Sequence, residues 1–142
     1  MIGARDAFGL KMKIVGVVAE TADAYRRSFT AGRIVATNSA LTFADGIAVR
    51  VPDATALDVI RKGVERIVSV TDDEIADAIR SIYSATHNCA EGAGAAALAA
   101  LAKERGQLQG RRAAIILTGQ NIDRAWMQIV LAGGTPRVGI AG

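Results

Sequence analysis

The sequence predicts an α/β fold, an open sheet of buried strands flanked by helices, and two observations carry that prediction. Short apolar runs without helical periodicity recur at residues 13–18, 66–70 and 113–117, and they read as strands. Between them lie longer segments with helix caps and apolar residues at three- and four-residue spacing. Strands covered by helices on both faces read as near-continuous apolar runs, and ligands in open α/β sheets sit beyond the carboxyl ends of such strands. The run Ala-Ala-Ile-Ile-Leu over 113–117 ends in Thr118-Gly-Gln-Asn-Ile-Asp123, so Thr118 stands either at a site or at a plain strand-to-helix turn.

Taken in order, residues 2–10 predict a helix with Gly9 near its end and no capping side chain ahead of it. The strand over 13–18 follows. Thr21 is placed to cap a helix running to Ala31, with Asp23 in its first turn and Gly32 as its stop. From Arg33 to Pro52 the pattern loosens into turn formers, and Asp45-Gly46 fits a hairpin turn or a site loop. Asp53 caps a helix to Gly63 with Leu57, Ile60 and Val64 at helical spacing, and the strand over 66–70 comes next.

Thr71-Asp-Asp-Glu74 is a capping box, and the helix it opens sets Ile75, Ile79 and Ile82 on one face. Glu91-Gly-Ala-Gly94 begins a glycine- and alanine-rich helix to about Arg105. Gly92, Gly94 and Ala97 match the dinucleotide fingerprint formally, but no strand precedes them, so the small residues are read as allowing close helix approach. Glu91 is either a structural cap, the favoured reading, or a carboxylate pointing into a site. Residues 106–110 form a turn. Asn121 or Asp123 caps a last short helix carrying Trp126, Ile129 and Val130, and the tail to Gly142 is expected to fray.

Composition narrows the function. The 142 residues, 51% apolar, suffice for a single domain with its own core. A net charge of +3 from dispersed residues, with 4% aromatics, offers neither a basic stripe nor a stacking platform for nucleic acid. No segment has the length and apolarity to span a bilayer, and no secretory signal opens the chain. Cys89 and His87 are the only residues of their kind. That precludes an internal disulfide and a histidine metal cluster, and it suits a reducing cytoplasm. Cys89 is read as a half-buried filler.

Three segments then fall together: Thr42-Phe-Ala-Asp-Gly46, Ala90-Glu-Gly-Ala-Gly94 and Thr118-Gly-Gln-Asn-Ile-Asp123. In order and spacing they resemble the Ala-Asp-Gly loop, the Glu-Gly-Ala-Gly helix start and the Ser-Gly-Gly-Asn-Ile-Asp turn of the threonine/serine dehydratases. These are pyridoxal-phosphate enzymes of the tryptophan synthase β fold (fold type II). The resemblance implies an incomplete open sheet with flanking helices, part of the large domain of that architecture. It implies conversion of a hydroxy amino acid to a 2-oxo acid and ammonia, and a site in which Thr118 faces the cofactor's pyridine nitrogen. A neutral hydroxyl there does not force the nitrogen to be protonated, which tempers the ring as an electron sink. Gly119 and Asn121 would shape the turn, and Glu91 and the backbone at Gly46 would line the pocket. Glu20 matches a glutamate that serves a cation site in some relatives, although a structural role ranks higher here.

The chain departs from the pattern at Thr118, where serine is commoner, and at Gln120, where the family has glycine. The family's Schiff-base lysine and glycine-rich phosphate loop have no counterpart, since none of Lys11, Lys13, Lys62 and Lys103 stands in a Ser-Phe-Lys segment. The expectation is therefore one domain over 1–142, the C-terminal segment of a larger catalytic domain, that neither holds the cofactor tightly nor catalyses by itself. The alternative is a non-catalytic partner or regulatory module derived from such an enzyme. Strands that expect neighbours on both sides predict self-association into a homo-oligomer.

Overall fold

A computed structural model describes residues 1–139 of the chain. The element order is α1 (Ile2–Ala7), β1 (Val15–Ala19), α2 (Ala24–Ala31), α3 (Ala54–Gly63), β2 (Arg66–Val70), α4 (Asp72–Thr86), α5 (Gly92–Lys103) and α6 (Arg124–Leu131). Single 3-10 turns occupy Glu20–Ala22 and Asp45–Ile47. The two strands pair in parallel, Val15 opposite Arg66 and Ala19 opposite Val70, and α2 and α3 make the crossover between them. The α/β class is as the sequence predicts.

Helix α5 packs against both strands, α4 lies along α5, and α6 packs on α4. The core between them is built from Ala19, Phe43, Val70, Ile75, Ile79, Ala95, Ala96, Ala99 and Val130. Alanines along α5 let it lie close to the sheet, and the isoleucines of α4 fill the space behind it. The capping box of α4 forms as read: the Glu74 amide donates to the Thr71 hydroxyl at 3.1 Å, and the Thr71 amide donates to the Glu74 carboxylate at 2.8 Å. Asp53 caps α3 by accepting from the Ala56 amide at 2.8 Å, and Asp123, not Asn121, caps α6.

Three expectations are corrected, and one open alternative is decided. Residues 113–117 do not form a buried strand: they are exposed and make no backbone hydrogen bond to another described residue. A strand exists only through its partners, and β1 and β2 pair with each other and not with this run. Thr21 lies inside a 3-10 turn instead of capping a helix, so α2 starts later, behind Asp23. Of the two readings of Asp45-Gly46, the hairpin is excluded, since the pair turns within a 3-10 helix. Cys89 is exposed, because it sits in the loop that follows His87, the left-handed residue ending α4. Gly32 stops α2 in the left-handed conformation, as expected. The end of the tail, expected to fray, lies outside the described residues.

Asp23 shows how the chain handles a buried charge. It is 3% exposed, and its two carboxylate oxygens accept from Arg26 and Arg27 at 2.6 Å each. Burial pushes its pKa up, but the two guanidinium hydrogen bonds and their charges outweigh that and hold the carboxyl below the ordinary aspartate value. A group whose pKa is lowered by folding stabilises the fold above its unfolded pKa, and that contribution is lost as pH falls through the folded value. Urea titrations should therefore show stability falling below about pH 4, with a shallower acid slope in Asp23→Asn. An unchanged slope in that variant would show that the pair contributes nothing to acid sensitivity.

Candidate active site at the start of the alanine-rich helix

The three motif segments, far apart in sequence, converge on the first turn of α5. On one side lies the loop through Phe43, Ala44 and Gly46. A methyl group at Gly92 would lie 2.8 Å from the Ala44 α-carbon, and one at Gly46 would lie 2.9 Å from the Ala93 side chain. On the other side lies the turn through Thr118 and Gly119. A methyl at Gly94 would stand 1.8 Å from the Thr118 carbonyl oxygen, and the Glu91 amide donates to the Gly119 carbonyl at 3.2 Å. The small residues of Glu91-Gly-Ala-Gly94 thus allow one helix start to be held between two loops.

Glu91 occupies the N-cap position of α5 but makes no capping hydrogen bond with its side chain, which corrects the favoured structural reading. Its carboxylate turns instead to the Thr118–Asn121 turn. It accepts from the Asn121 amide at 3.2 Å and lies so close over Gly119 that a methyl there would stand 2.1 Å from Oε1. Gly119 also has φ +77°, so a side chain is excluded on two counts.

Between these segments and α6 is a recess of about 210 Å³ lined by Phe43, Asp45, Glu91, Gly92, Asn121, Ile122, Asp123 and Trp126. The Trp126 ring meets Phe43 edge-on, with centroids 6.1 Å apart. Of the residues singled out from sequence, Glu91 and Asn121 line the recess. Gly119 touches it through Glu91, whereas Thr118 and Gly46 are exposed beside it and do not line it. Three carboxylates and no Lys or Arg are among the lining residues. Glu20 is not among them. Among the described residues no group of three or more His, Cys, Asp or Glu could hold a metal ion, and no helix is long and apolar enough to cross a membrane.

Residues 2–119 match the family model of the pyridoxal-phosphate-dependent enzymes. The chain belongs to that family. Among its relatives, the L-threonine ammonia-lyase of Thermotoga maritima is 35% identical over 113 residues, which are 80% of this chain and 28% of that enzyme. The L-threonine ammonia-lyase of Geobacter sulfurreducens is 35% identical over 128 residues, 90% of this chain and 32% of the relative. The processed form of threonine deaminase isoform 2 from Solanum lycopersicum superposes with a TM-score of 0.86 at 28% identity, covering 93% of this chain and 38% of that one. The fold is that of the fold type II pyridoxal-phosphate enzymes, and the chain spans about a third of the length of these relatives.

Within this family member, Thr42, which is 3% exposed, is part of a motif segment to which the sequence pattern assigns no role for its hydroxyl, and its partner Asp72 carries no signal of a site. Thr42 stands two residues before Ala44, the spacing of a hydroxyl-to-amide turn, and that signal was available. Nothing in the sequence pointed to Asp72 beyond its place in a helix first turn.

Gly94→Ala separates helix propensity from close approach. Propensity alone favours Ala in a helix interior by about 1 kcal/mol. A methyl 1.8 Å from the Thr118 carbonyl oxygen must displace that turn, at a cost of roughly 1–3 kcal/mol or more. The expected outcome is a lower Tm, because displacing the turn costs more than Ala gains in propensity, with the Asn121 amide losing its protection against hydrogen exchange. A raised Tm would show that the two segments are not in contact.

Proposed function

We propose that this chain forms the ring end of a pyridoxal-phosphate site in a hydroxy-amino-acid dehydratase, an enzyme converting serine or threonine to a 2-oxo acid and ammonia. The observation that carries the proposal is the convergence of the Thr118 turn, the Glu91 helix start and the Ala44–Gly46 loop around one recess. The names of the relatives favour the same reaction class.

The residues present fit one end of the cofactor. Thr118 offers an exposed neutral hydroxyl at a turn that Glu91 and Gly119 hold in place, suited to a pyridine nitrogen. The recess offers nothing suited to the phosphate, since three carboxylates line it and no cation does. When bound, the cofactor would supply the electron sink that makes loss of a β-substituent possible. Thr118 would accept or donate a hydrogen bond at the ring nitrogen without adding charge there. Glu91 would fix the turn by accepting from the Asn121 amide. Phe43 and Trp126 would keep water from one side of the recess.

In this reading the chain is the C-terminal segment of a larger catalytic domain. The lysine and the phosphate-binding loop come from elsewhere in a protein of the relatives' size, and the 142 residues alone are inactive. Expression of the complete gene in the presence of pyridoxal phosphate should give a protein that absorbs at the wavelengths of bound cofactor and releases ammonia from L-threonine or L-serine. In that protein, Thr118→Val should weaken cofactor binding about tenfold or more, while Thr118→Ser should bind like wild type. Absence of both cofactor absorbance and ammonia release in the complete protein would refute the assignment and leave a non-catalytic module in its place.

The isolated chain is also proposed to self-associate within a reducing cytoplasm. Ile115, Ile116 and Leu117 are 37–49% exposed, and Phe8, Leu10 and Met12 near the amino terminus are 46–78% exposed. Apolar segments of this kind favour association when nothing else covers them. Light scattering on the 142-residue chain should give a mass above 14.7 kDa that rises with concentration. A constant monomer mass at all concentrations would exclude it.

A further inference from the structure

We propose that Thr42 and Asp72 form a latch that positions the Phe43–Gly46 wall of the recess, so that both are positioning residues for whatever the recess binds. Thr42 stands in an irregular stretch, yet the residue is 3% exposed. Burial of a hydroxyl is tolerable only with partners, and Thr42 has two. It donates to Asp72 Oδ1 at 2.5 Å and accepts from the Ala44 amide at 3.1 Å. The second oxygen, Asp72 Oδ2, accepts from the Phe43 amide at 3.4 Å. One carboxylate thus holds the loop at two successive residues, about thirty positions away in sequence.

Asp72 is not needed to finish its own helix. Thr71 and Glu74 already satisfy the start of α4 as a reciprocal capping box. The first turn of a helix is also where its dipole favours a negative charge, so a carboxylate there can serve a neighbouring loop. From this anchor the loop runs directly into contacts with the recess. Phe43 meets Trp126, Ala44 rests against Gly92, and Gly46 rests against Ala93. Releasing the anchor frees the side of the recess formed by Phe43 and Asp45, while the side formed by Glu91 and Asn121 stays fixed by its own hydrogen bond.

The inference rests on the recess being the cofactor or substrate pocket, and the test separates the two ideas. Trp126 is the only tryptophan, so its fluorescence reports on the Phe43 wall. Three variants of the 142-residue chain are compared with wild type: Thr42→Val, which keeps shape and removes the donor, Thr42→Ser, which keeps the donor, and Asp72→Asn. In Thr42→Val the amides of Phe43 and Ala44 should exchange about tenfold faster, with the α4 amides unchanged. Acrylamide should quench Trp126 more strongly, and Thr42→Ser should restore both readouts. If Thr42→Val does not fold, Asp72→Asn takes its place with the same expected changes.

Wild-type exchange and quenching in Thr42→Val, or failure of Thr42→Ser to restore them, would overturn the latch. Pyridoxal phosphate added to the complete protein tests the other idea, since the 142 residues alone are not expected to hold it. Bound-cofactor absorbance that saturates at a higher concentration in Thr42→Val than in wild type supports latch and pocket together. No bound-cofactor absorbance in any variant of the complete protein, with the exchange pattern of the 142-residue chain intact, counts against the pocket assignment alone and leaves the latch standing.

Discussion

The structure depends on one close approach: the first turn of α5 lies in van der Waals contact with two separate loops. Gly92 faces Ala44, and Gly94 faces the Thr118 carbonyl, at separations that leave no room for a β-carbon. Because both glycines sit on one helical turn, the two loops cannot be placed independently. The position of the Phe43–Gly46 loop relative to the Thr118–Asn121 turn is set by the thickness of a helix without side chains. The alanines that follow extend the same logic inward, letting α5 lie against β1 and β2 while α4 fills in behind. Core packing and site geometry are thereby one problem, solved by a single run of small residues.

Electrostatics refine what packing sets. The Glu91 carboxylate leaves its own helix uncapped by a side chain and goes to the Asn121 amide. Asp72 likewise leaves its helix to Thr71 and Glu74 and goes to Thr42 and Phe43. In each case an acidic residue at a helix start, where its charge is stabilised by the macrodipole, reaches across to hold a loop. The two loops that flank α5 are therefore each tied by one carboxylate, and both ties lie beside the recess. Helix starts with acidic residues to spare are a means of fixing irregular backbone that has no ladder of its own.

Much of this was written in the sequence where local rules govern. The α4 capping box, the Asp53 cap and the strand over 66–70 follow from neighbours within four residues, and the structure has them as read. Glu91 was ambiguous because its local pattern fits a cap, whereas the amide that claims it belongs to Asn121, thirty residues on. The pairing of Thr42 with Asp72 is illegible for the same reason: it is a tertiary contact. The start of α2 shifted because Thr21 was drawn into a 3-10 turn and Asp23 was claimed by two arginines. The motif segments are legible through family likeness, and in the fold their glycines meet one another's segments: a methyl at Gly46, Gly92, Gly94 or Gly119 would lie within 3 Å of an atom of another segment.

Residues 113–117 are the instructive failure. Their composition encodes burial, with two Ile and a Leu in five residues, yet Ile115, Ile116 and Leu117 are 37–49% exposed and their backbone pairs with no other described residue. Exposure keeps the unpaired amides and carbonyls in water, which avoids the penalty of burying them unsatisfied, but it leaves apolar side chains uncovered. The segment's carboxyl end is nevertheless fixed, because the Thr118 carbonyl lies against Gly94 and the Gly119 carbonyl accepts from the Glu91 amide. So the turn that carries Thr118 does not need a paired strand to place it. Its position is inherited from α5, and the unpaired run leading to it is a separate feature whose sequence asks for neighbours that β1 and β2 do not supply.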